Sequence, residues 1–554
     1  MKLRFSLYCL VIGWAFFLSS CSDKTEVPVP ADASMVIHFN GASLHSKLSW
    51  DEIKQSELFK KAYQEIKEEE LKKILDNPES SGIDIKTDAY FFAKKQGKGN
   101  YVGFTCEVKD EKALNSLVEK LNTENKPVKE GGLSVIKSDK GVITWSSSRL
   151  VAIGNSDGMH KGPMGKFGKR NMFSQGLSFP QDSLLKFAKE IYDLEKEKSI
   201  ASNDKFNALM KETGDVHFWI NSGDLANSLP EQAQMFSKAS SLLNGNITAA
   251  TLNFDNGKIT VNSKSYFNNE LAAIFKKHQA KNIDESMLKS ITATDVAAVL
   301  AINYPPEGFK EFLSVLGVDG LLNLFLAQSN FSFDDFIKAN KGDLLLAVTD
   351  FKVKNDALTF TRNDEDDKKS KLNANVLFAT SVNDKASFQK LIGLFTTMMK
   401  DAPVKALPTN FPYKLTDSWF VAGNDSMQVN SFGTGSTNHP FISKISGHPV
   451  AGYVDIQKLI SVAAPGIKDS TSSVMAMESL KYWQDMVFYC DNYSNDVMEG
   501  HMEINMVDKN TNSLKQLWNF TNVVGKNMKH HEDKFKSKWK ELELKEMPDS
   551  VGVQ

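Results

Sequence analysis

The stretch Tyr101-Val102-Gly103-Phe104, followed by Val108-Lys109-Asp110, occurs a second time in this chain as Asn375-Val376-Leu377-Phe378, followed by Val382-Asn383-Asp384. Each copy leads into a segment with apolar residues at helical spacing: Leu114, Leu117 and Leu121 in the first, Phe388, Leu391 and Leu394 in the second. This spacing predicts a helix with one buried stripe. Asp110 and Asp384 stand where an N-cap accepts hydrogen bonds from the free N–H groups of the first turn, so we expect capping rather than catalysis from both.

Five further segments recur in the same order around this stretch. The pairs are residues 33–39 with 293–300, 87–92 with 341–346, 150–155 with 419–424, 214–220 with 448–454, and 249–266 with 486–506. In the last pair, Asn256-Gly257 separates two runs of alternating polarity, which is typical of a β-hairpin with a two-residue turn. Ordered matches of this length indicate an internal repeat.

The repeat predicts an α+β fold with two homologous lobes and a C-terminal helix. Hairpins and adjacent strands favour a mostly antiparallel sheet with packed helices in each lobe. We expect the first lobe at 34–285, with an insertion near 156–212, and the second lobe at 286–508. Residues 509–554 form the predicted C-terminal helix and tail.

The N-terminus has the pattern of a secretory signal peptide. Lys2 and Arg4 precede an apolar run over residues 5–18. A helix of about 14 residues is roughly 20 Å long, shorter than the ~30 Å hydrocarbon core of a bilayer, which favours a cleaved signal over 1–20 rather than a membrane-spanning helix. The run ends in Leu18-Ser19-Ser20-Cys21. An ordinary signal peptide with an incidental cysteine is the alternative interpretation.

The sequence Leu18-Ser19-Ser20-Cys21 resembles the bacterial lipobox. The resemblance implies that Cys21 becomes the lipidated first residue of the mature protein, carrying palmitate-type chains, and several acyl chains hold a protein stably on a bilayer. Ser22 rather than aspartate after the cysteine resembles lipoproteins sorted to the outer membrane, on its periplasmic face or at the cell surface. Residues 21–33 contain Val27-Pro28-Val29-Pro30, which predicts a semi-rigid, extended tether.

The lipobox and the repeated strand, Val-x-Asp and helix units together resemble an uncharacterised family of Bacteroidetes cell-envelope lipoproteins, known as a domain of unknown function. The resemblance extends over nearly the whole chain. It implies no activity, because the family has none to transfer.

Composition excludes one class of partner. Lys+Arg number 66 and Asp+Glu 68, a net charge of −2, so the chain has no basic excess for nucleic acid. Of the four cysteines, Cys106 and Cys490 remain beside Cys21 after signal cleavage. Both lie in strand-like runs, which favours inert buried thiols over the alternative of a disulfide.

No motif in the chain predicts a catalytic, cofactor-binding or metal-binding residue. Residues 154–158 match G-x-S-x-G, but the residues that follow do not open a helix, as a nucleophile elbow requires. The Gly/Lys-rich segment 161–170 lacks the spacing of a phosphate-binding loop, and the acidic segment 363–369 lacks that of a calcium loop. The adjacent His530 and His531 do not share a helix face.

These observations predict a lipid-anchored envelope protein, more plausibly a non-enzymatic binding or scaffold protein for a macromolecule or glycan than an enzyme. The expected partners are the membrane, through Cys21, and a glycan or envelope protein. Two alternatives stay open: a hydrolase whose carboxylates meet only on folding, and a structural or chaperone-like protein. A cluster of Asp, Glu or His with perturbed pKa values would favour the hydrolase.

Overall fold

The computed structural model describes residues 27–121, 126–138, 141–156, 177–223, 242–327, 330–353, 372–401, 412–467 and 470–526. The predicted signal peptide, Cys21, the segments 161–170 and 363–369, and His530-His531 lie outside these residues. The chain divides into two compact units: Met1–Ser43 with Glu68–Ser228, called unit 1, and Leu44–Lys67 with Leu229–Gln554, called unit 2. Among the described residues, each helix is too short or too polar to cross a membrane.

The strands of the described residues are β1 (Met35–Phe39), β2 (Ala89–Gln96), β3 (Gly99–Glu107), β4 (Val128–Glu130), β5 (Leu133–Ser138), β6 (Gly141–Trp145), β7 (Arg149–Asn155), β8 (Val216–Asn221), β9 (Ile247–Asp255), β10 (Lys258–Tyr266), β11 (Val296–Asn303), β12 (Asn340–Val353), β13 (Leu372–Val382), β14 (Tyr413–Leu415), β15 (Trp419–Gly423), β16 (Val450–Val454), β17 (Trp483–Cys490) and β18 (Met498–Met506).

The α-helices are α1 (Gly41–Lys47), α2 (Trp50–Gln55), α3 (Glu57–Glu65), α4 (Glu69–Asp76), α5 (Glu111–Leu121), α6 (Gln181–Tyr192), α7 (Asp204–Met210), α8 (Asn269–Lys277), α9 (Glu285–Lys289), α10 (Pro306–Val315), α11 (Asp319–Ala327), α12 (Phe333–Ala339), α13 (Lys385–Asp401), α14 (Ser426–Ser431), α15 (Ile442–Ile445), α16 (Ile456–Ala463) and α17 (Ser470–Ser479). A last helix, α18, covers residues 513–526.

Unit 1 contains an antiparallel sheet in the order β4-β5-β6-β7-β3-β2-β1-β8. Trp145, on β6, is fully buried in a cluster with Val108, Leu114 and Ile136, and this cluster fixes α5 on the sheet. Helix α5 starts where the sequence predicts, because Asp110 Oδ1 accepts hydrogen bonds from the N–H groups of its first turn. The capping role predicted for Asp110 is therefore confirmed.

Residues 27–33 belong to the body of unit 1 rather than to a tether. Val29 has 0% of its surface exposed, and its carbonyl oxygen accepts a hydrogen bond from the Ile200 N–H. Pro30 forms a β-bridge with Ser199, whose hydroxyl donates to the carbonyl of Val27 at 2.7 Å. The tether predicted over 21–33 is thus wrong for residues 27–33, because these contacts hold them on the body, although Ala31 and Asp32 stay exposed.

Unit 2 contains an antiparallel sheet in the order β9-β10-β18-β17-β16-β11-β12-β13-β15-β14. Its main core joins the central strands to α9, α14 and α15, with Leu345, Ala379 and Ile445 fully buried. Asp384 Oδ1 accepts a hydrogen bond from the Ser387 N–H at the start of α13, which confirms its predicted capping role. The antiparallel sheets and packed helices of both units confirm the α+β fold class.

The two units share a strand order: β7-β3-β2-β1-β8 in unit 1 corresponds to β15-β13-β12-β11-β16 in unit 2. The boundaries of the units differ from the lobes predicted at 34–285 and 286–508. Strand β10 pairs with β18 over Lys258–Ser265, so both hairpins of the repeat lie in unit 2. Common descent of two lobes stays a prediction. Helix α18 begins inside the predicted segment 509–554, and residues beyond 526 lie outside the described part.

A candidate functional site on the polar face of unit 2

The joined hairpins carry a row-by-row array of polar side chains, which we call the polar face. Alternate residues of a strand point to the same side of a sheet, so cross-strand partners form rows. Three rows follow from the register of β10, β18 and β17: Lys258, Asn505 and Asp485; Thr260, Glu503 and Val487; Asn262, His501 and Tyr489. Tyr453 on β16 lies opposite Val487 and extends the second row.

Hydrogen bonds fix the side chains of the first two rows. The Asn505 amide donates to Asp485 Oδ1 at 2.8 Å, and both residues are buried. Lys509 Nζ reaches Asn505 Oδ1 at 3.5 Å. Lys258 Nζ donates to Glu503 Oε2 at 2.6 Å. Because each group is held by a neighbour, the rows present acceptors and donors in set positions.

A stack of three rings crosses the third row. The His448 ring lies 3.7 Å from the Tyr489 ring at an interplanar angle of 14°, and the His501 ring lies 5.0 Å away on the same tyrosine at 29°. His448 Nδ1 is 2.6 Å from Asp491 Oδ1, and His501 Nδ1 is 2.7 Å from Asn262 Oδ1. The imidazoles cover the faces of Tyr489, so the stack offers ring edges and polar ring atoms to a ligand.

The carboxylates of the polar face differ in their electrostatic environment. Burial raises the pKa of Asp455, and the charge of Asp485 raises it further. Burial also raises the pKa of Tyr453, with further contributions from both aspartates. For Glu503, burial raises the pKa, but hydrogen bonds from Lys258 and Asn505 outweigh it and leave a lowered pKa. The pKa is therefore raised for the Asp455 carboxyl and lowered for the Glu503 carboxyl.

Replacing Asp455 by asparagine is expected to raise Tm at pH 7. The raised pKa means that ionised Asp455 costs stability above its folded pKa, and this cost is absent below the ordinary value of 3.8. Asp455 Oδ1 also caps α16 by accepting from the Lys458 N–H, and an asparagine oxygen keeps this bond. Calorimetry at pH 7 and pH 3 should show a gain at the first pH that disappears at the second. A lower Tm for Asp455→Asn at pH 7 would contradict the assignment.

A groove of about 920 Å³ lies in unit 1. Its lining mixes charges of both signs, and one pair is already joined, since Lys94 Nζ lies 2.7 Å from Asp32 Oδ1. Tyr101 forms part of the wall and is buried through its ring, which stacks on Phe187 at 4.8 Å. Part of its charge is self-paired, as it is in the polar face, so the groove is a second candidate site.

Several residues singled out in the sequence take plain structural roles. Cys106 and Cys490 are free thiols, which excludes the disulfide alternative. Burial raises the pKa of Cys106 to about 11, as expected of an inert thiol. Within the described residues, no three His, Cys, Asp or Glu side chains form an arrangement that could hold a metal ion. Cys21, the predicted lipidation site, lies outside the described residues.

Sequence reasoning missed the carboxylates and histidines of the polar face. The strands that carry them were predicted, but the pairing of β10 with β18 was not, and this pairing creates the rows. The available signal was the polar member of each alternating run, such as His501 and Glu503 on β18 and Asn262 on β10. Without the register, such residues read as an ordinary solvated side of a sheet.

Residues 25–160 match a family model described as a domain of unknown function, DUF4836. The match covers the beginning of unit 1 and none of the polar face. Among solved structures, crystal form III of TP0453 is similar at a TM-score of 0.26 and 12% identity, covering 46% of this chain and 87% of that chain. Crystal form I gives 0.25 and 12%, covering 46% and 81%. TM-scores this low support no conclusion about the fold or the activity of this chain. No curated protein matches the chain.

Proposed function

We propose that this protein is a lipid-anchored protein of the bacterial cell envelope that binds a glycan or an envelope protein through the polar face of unit 2. The observation that carries the proposal is the set of partly exposed side chains of Glu503, Tyr489 and His501, which neighbouring residues hold in place. Groups fixed before binding lose little side-chain entropy when a ligand arrives.

The chemistry of the polar face favours a ligand recognised by hydrogen bonds rather than by net charge. Lys258 is paired with Glu503, so its amine is not a free positive charge, and the His448 ring is hydrogen-bonded to Asp491. What remains is a set of amide, carboxyl, hydroxyl and imidazole edges, the groups that bind sugar hydroxyls or a peptide backbone. A polyanion would meet the carboxylate of Glu503 in the second row.

The anchor in this proposal rests on Leu18-Ser19-Ser20-Cys21 and on the family resemblance to Bacteroidetes lipoproteins. Lipidation at Cys21 and an outer-membrane location remain parts of the proposal. With residues 27–33 in the body, the chain between Cys21 and unit 1 is residues 22–26. Five extended residues span at most about 18 Å, which would keep unit 1 close to the bilayer.

Two measurements test the proposal separately. Labelled palmitate should be incorporated into the wild-type protein and not into Cys21→Ala; label in that variant would refute the anchor. For binding, the full chain is crosslinked in envelopes of its source bacterium and the bound glycans and proteins are identified. The Tyr489→Ala, His501→Ala double variant should lose the partner, whereas Tyr413→Ala, an exposed tyrosine on β14, should keep it. Equal recovery by both variants would refute the polar face.

The rival function, a hydrolase, is favoured by one observation, the raised pKa of Asp455 beside Asp485. Two neighbouring carboxyls, one of them with a raised pKa, are an arrangement that general acid–base hydrolysis can use. The test is hydrolysis of isolated envelope glycan by the wild-type chain and by Asp455→Asn and Asp485→Asn. Turnover by wild type, with both variants inactive but still binding glycan, would favour the hydrolase. Binding without turnover would favour the binding protein.

A further inference from the structure

Two buried histidines of unit 1 contact each other across neighbouring strands. His38 on β1 lies opposite His217 on β8, with Nδ1 of one ring 3.0 Å from Nδ1 of the other. The exposed fractions are 2% for His38 and 3% for His217. The proposed polar face lies in unit 2 and does not involve this pair.

The outer nitrogens of the two rings meet different groups. His217 Nε2 lies 3.0 Å from the carbonyl oxygen of Glu212, which can only accept. His38 Nε2 is buried without a hydrogen-bond partner of good geometry, and a carboxylate oxygen of Asp88 lies 3.1 Å from it. The Asp88 side chain is 50% exposed, so the series of contacts from Asp88 through His38 to His217 runs from solvent to the interior of the sheet.

Counting protons shows which state fits these contacts. A neutral imidazole has one N–H and one lone pair. The carbonyl of Glu212 requires the N–H of His217 at Nε2, so His217 Nδ1 accepts and His38 Nδ1 must donate. A neutral His38 would then point a lone pair at the Asp88 carboxylate. One added proton on His38 turns that contact into an ion pair and leaves every ring nitrogen satisfied.

The other described titratable groups around the pair are Tyr90, Asp215 and Glu212. The Tyr90 ring from β2 lies 4.9 Å from the His38 ring. Asp215, which precedes His217 by two residues, is fully buried and accepts a hydrogen bond from the Ser43 hydroxyl at 2.6 Å. Burial lowers the pKa of His217, which keeps it as the neutral partner. The charges that face the pair are therefore Asp88 on one side and the Glu212 region on the other.

Unit 2 has different polar groups at the end of β11, the first strand of the second repeat. Asn303, the last residue of β11, is buried and donates through its amide to Asp343 Oδ1 at 2.6 Å. The Asp343 N–H in turn donates to the Ser381 hydroxyl oxygen at 3.0 Å. An amide, a carboxylate and a hydroxyl thus hold this end of β11 in unit 2.

We propose that His38 and His217 form a proton-operated clasp between β1 and β8, which holds one positive charge against Asp88 and opens when a second proton enters. With two added protons, both Nδ1 atoms carry hydrogen, and two cations face each other in a buried site. Strand β8 cannot then keep its place beside β1. At high pH His38 loses its positive charge. Its Nε2 lone pair then faces the Asp88 carboxylate, and this repulsive contact loosens the clasp as well.

The test is the Tm of the full chain as a function of pH between 4 and 10. The clasp predicts a profile with an acid arm and an alkaline arm. In Asp88→Asn the alkaline arm should move to lower pH, because the counter-ion is gone. In His217→Gln the acid arm should shrink, because the second proton has no site.

Control variants separate the clasp from a structural effect. Asp182→Asn removes a highly exposed carboxylate of unit 1 and should leave the shape of the profile unchanged. His38→Asn keeps a hydrogen-bond donor and an acceptor at this position but cannot take up a proton. If His38→Asn does not fold, the Tm profile of Asp88→Asn still tests the proposal. Asp88 is half exposed, so its replacement should not prevent folding. A Tm profile for Asp88→Asn that runs parallel to wild type at every pH would overturn the proposal.

Discussion

Replacing Trp145 by alanine is expected to lower the free energy of unfolding of unit 1 by about 3–5 kcal/mol, the range for a large buried aromatic residue. Trp145 has 0% of its surface exposed and contacts Val108, Leu114 and Ile136. The ring therefore joins β6 to α5, and its loss leaves a cavity that the sheet cannot close. Urea unfolding followed by circular dichroism measures the change.

The hydrogen bond of Trp145 can be separated from its volume. Its indole Nε1 donates to Asn115 Oδ1 at 2.8 Å, and the Ser134 hydroxyl donates to the same oxygen at 3.2 Å. Trp145→Phe keeps most of the ring volume, and Asn115 keeps the serine donor, so we expect a loss of about 1–2 kcal/mol. If the alanine variant lost no more than the phenylalanine variant, the cavity explanation would fail.

Gly103→Ala is expected to destabilise unit 1 by about 3 kcal/mol, at the upper end of the cost of overpacking. A Cβ atom on Gly103 would lie 2.2 Å from Cζ of Phe92, its cross-strand partner. The Phe92 ring is fully buried with its edge against Tyr101, so it has no space to move. Thermal unfolding measures the effect, and Phe92→Leu in the same chain should recover part of the loss.

The chain offers two matched controls for Gly103→Ala. A Cβ on Gly452 would lie 2.3 Å from Cζ of Phe488, which is also its cross-strand partner. Phe488 is only half-buried, so its ring can turn away and Gly452→Ala should cost less. Gly320, in α11, has open space where a Cβ would stand, with no atom within 4 Å, so Gly320→Ala should be neutral or stabilising. Equal losses at all three positions would indicate a general effect of removing glycine.

Local patterns were enough to find the strands of the repeated segments, because each has its own alternation or apolar run, but they missed β4, β5, β6 and β14. They could not show which strands pair, since pairing depends on register between segments far apart in the chain. The pairing of Lys258–Ser265 with β18 joins residues more than 200 positions apart, and no local signal marks it. The segment containing Val29 shows the same limit: its prolines correctly predict extended chain, but its burial depends on Ser199 and Ile200.

The candidate sites were hidden for the same reason. His38 and His217 appear in the sequence as single polar residues inside two apolar strands, 179 positions apart. Asp455 reads as a helix cap, a role it does have, and its interaction with Asp485 follows only from the positions of β16 and β17. The sequence shows only that histidines and aspartates stand at these positions. The rows that combine them exist only in the folded sheet.

The pairing of β10 with β18 also limits how this chain can be divided. A fragment that ends at residue 285 would carry β10 with one edge unpaired, and a fragment that starts at residue 286 would leave the same edge of β18 open. Unpaired strand edges recruit other strands. One predicted repeat expressed alone should therefore dimerise or aggregate, and we expect the smallest fragment that folds independently to be larger than one copy of the predicted repeat.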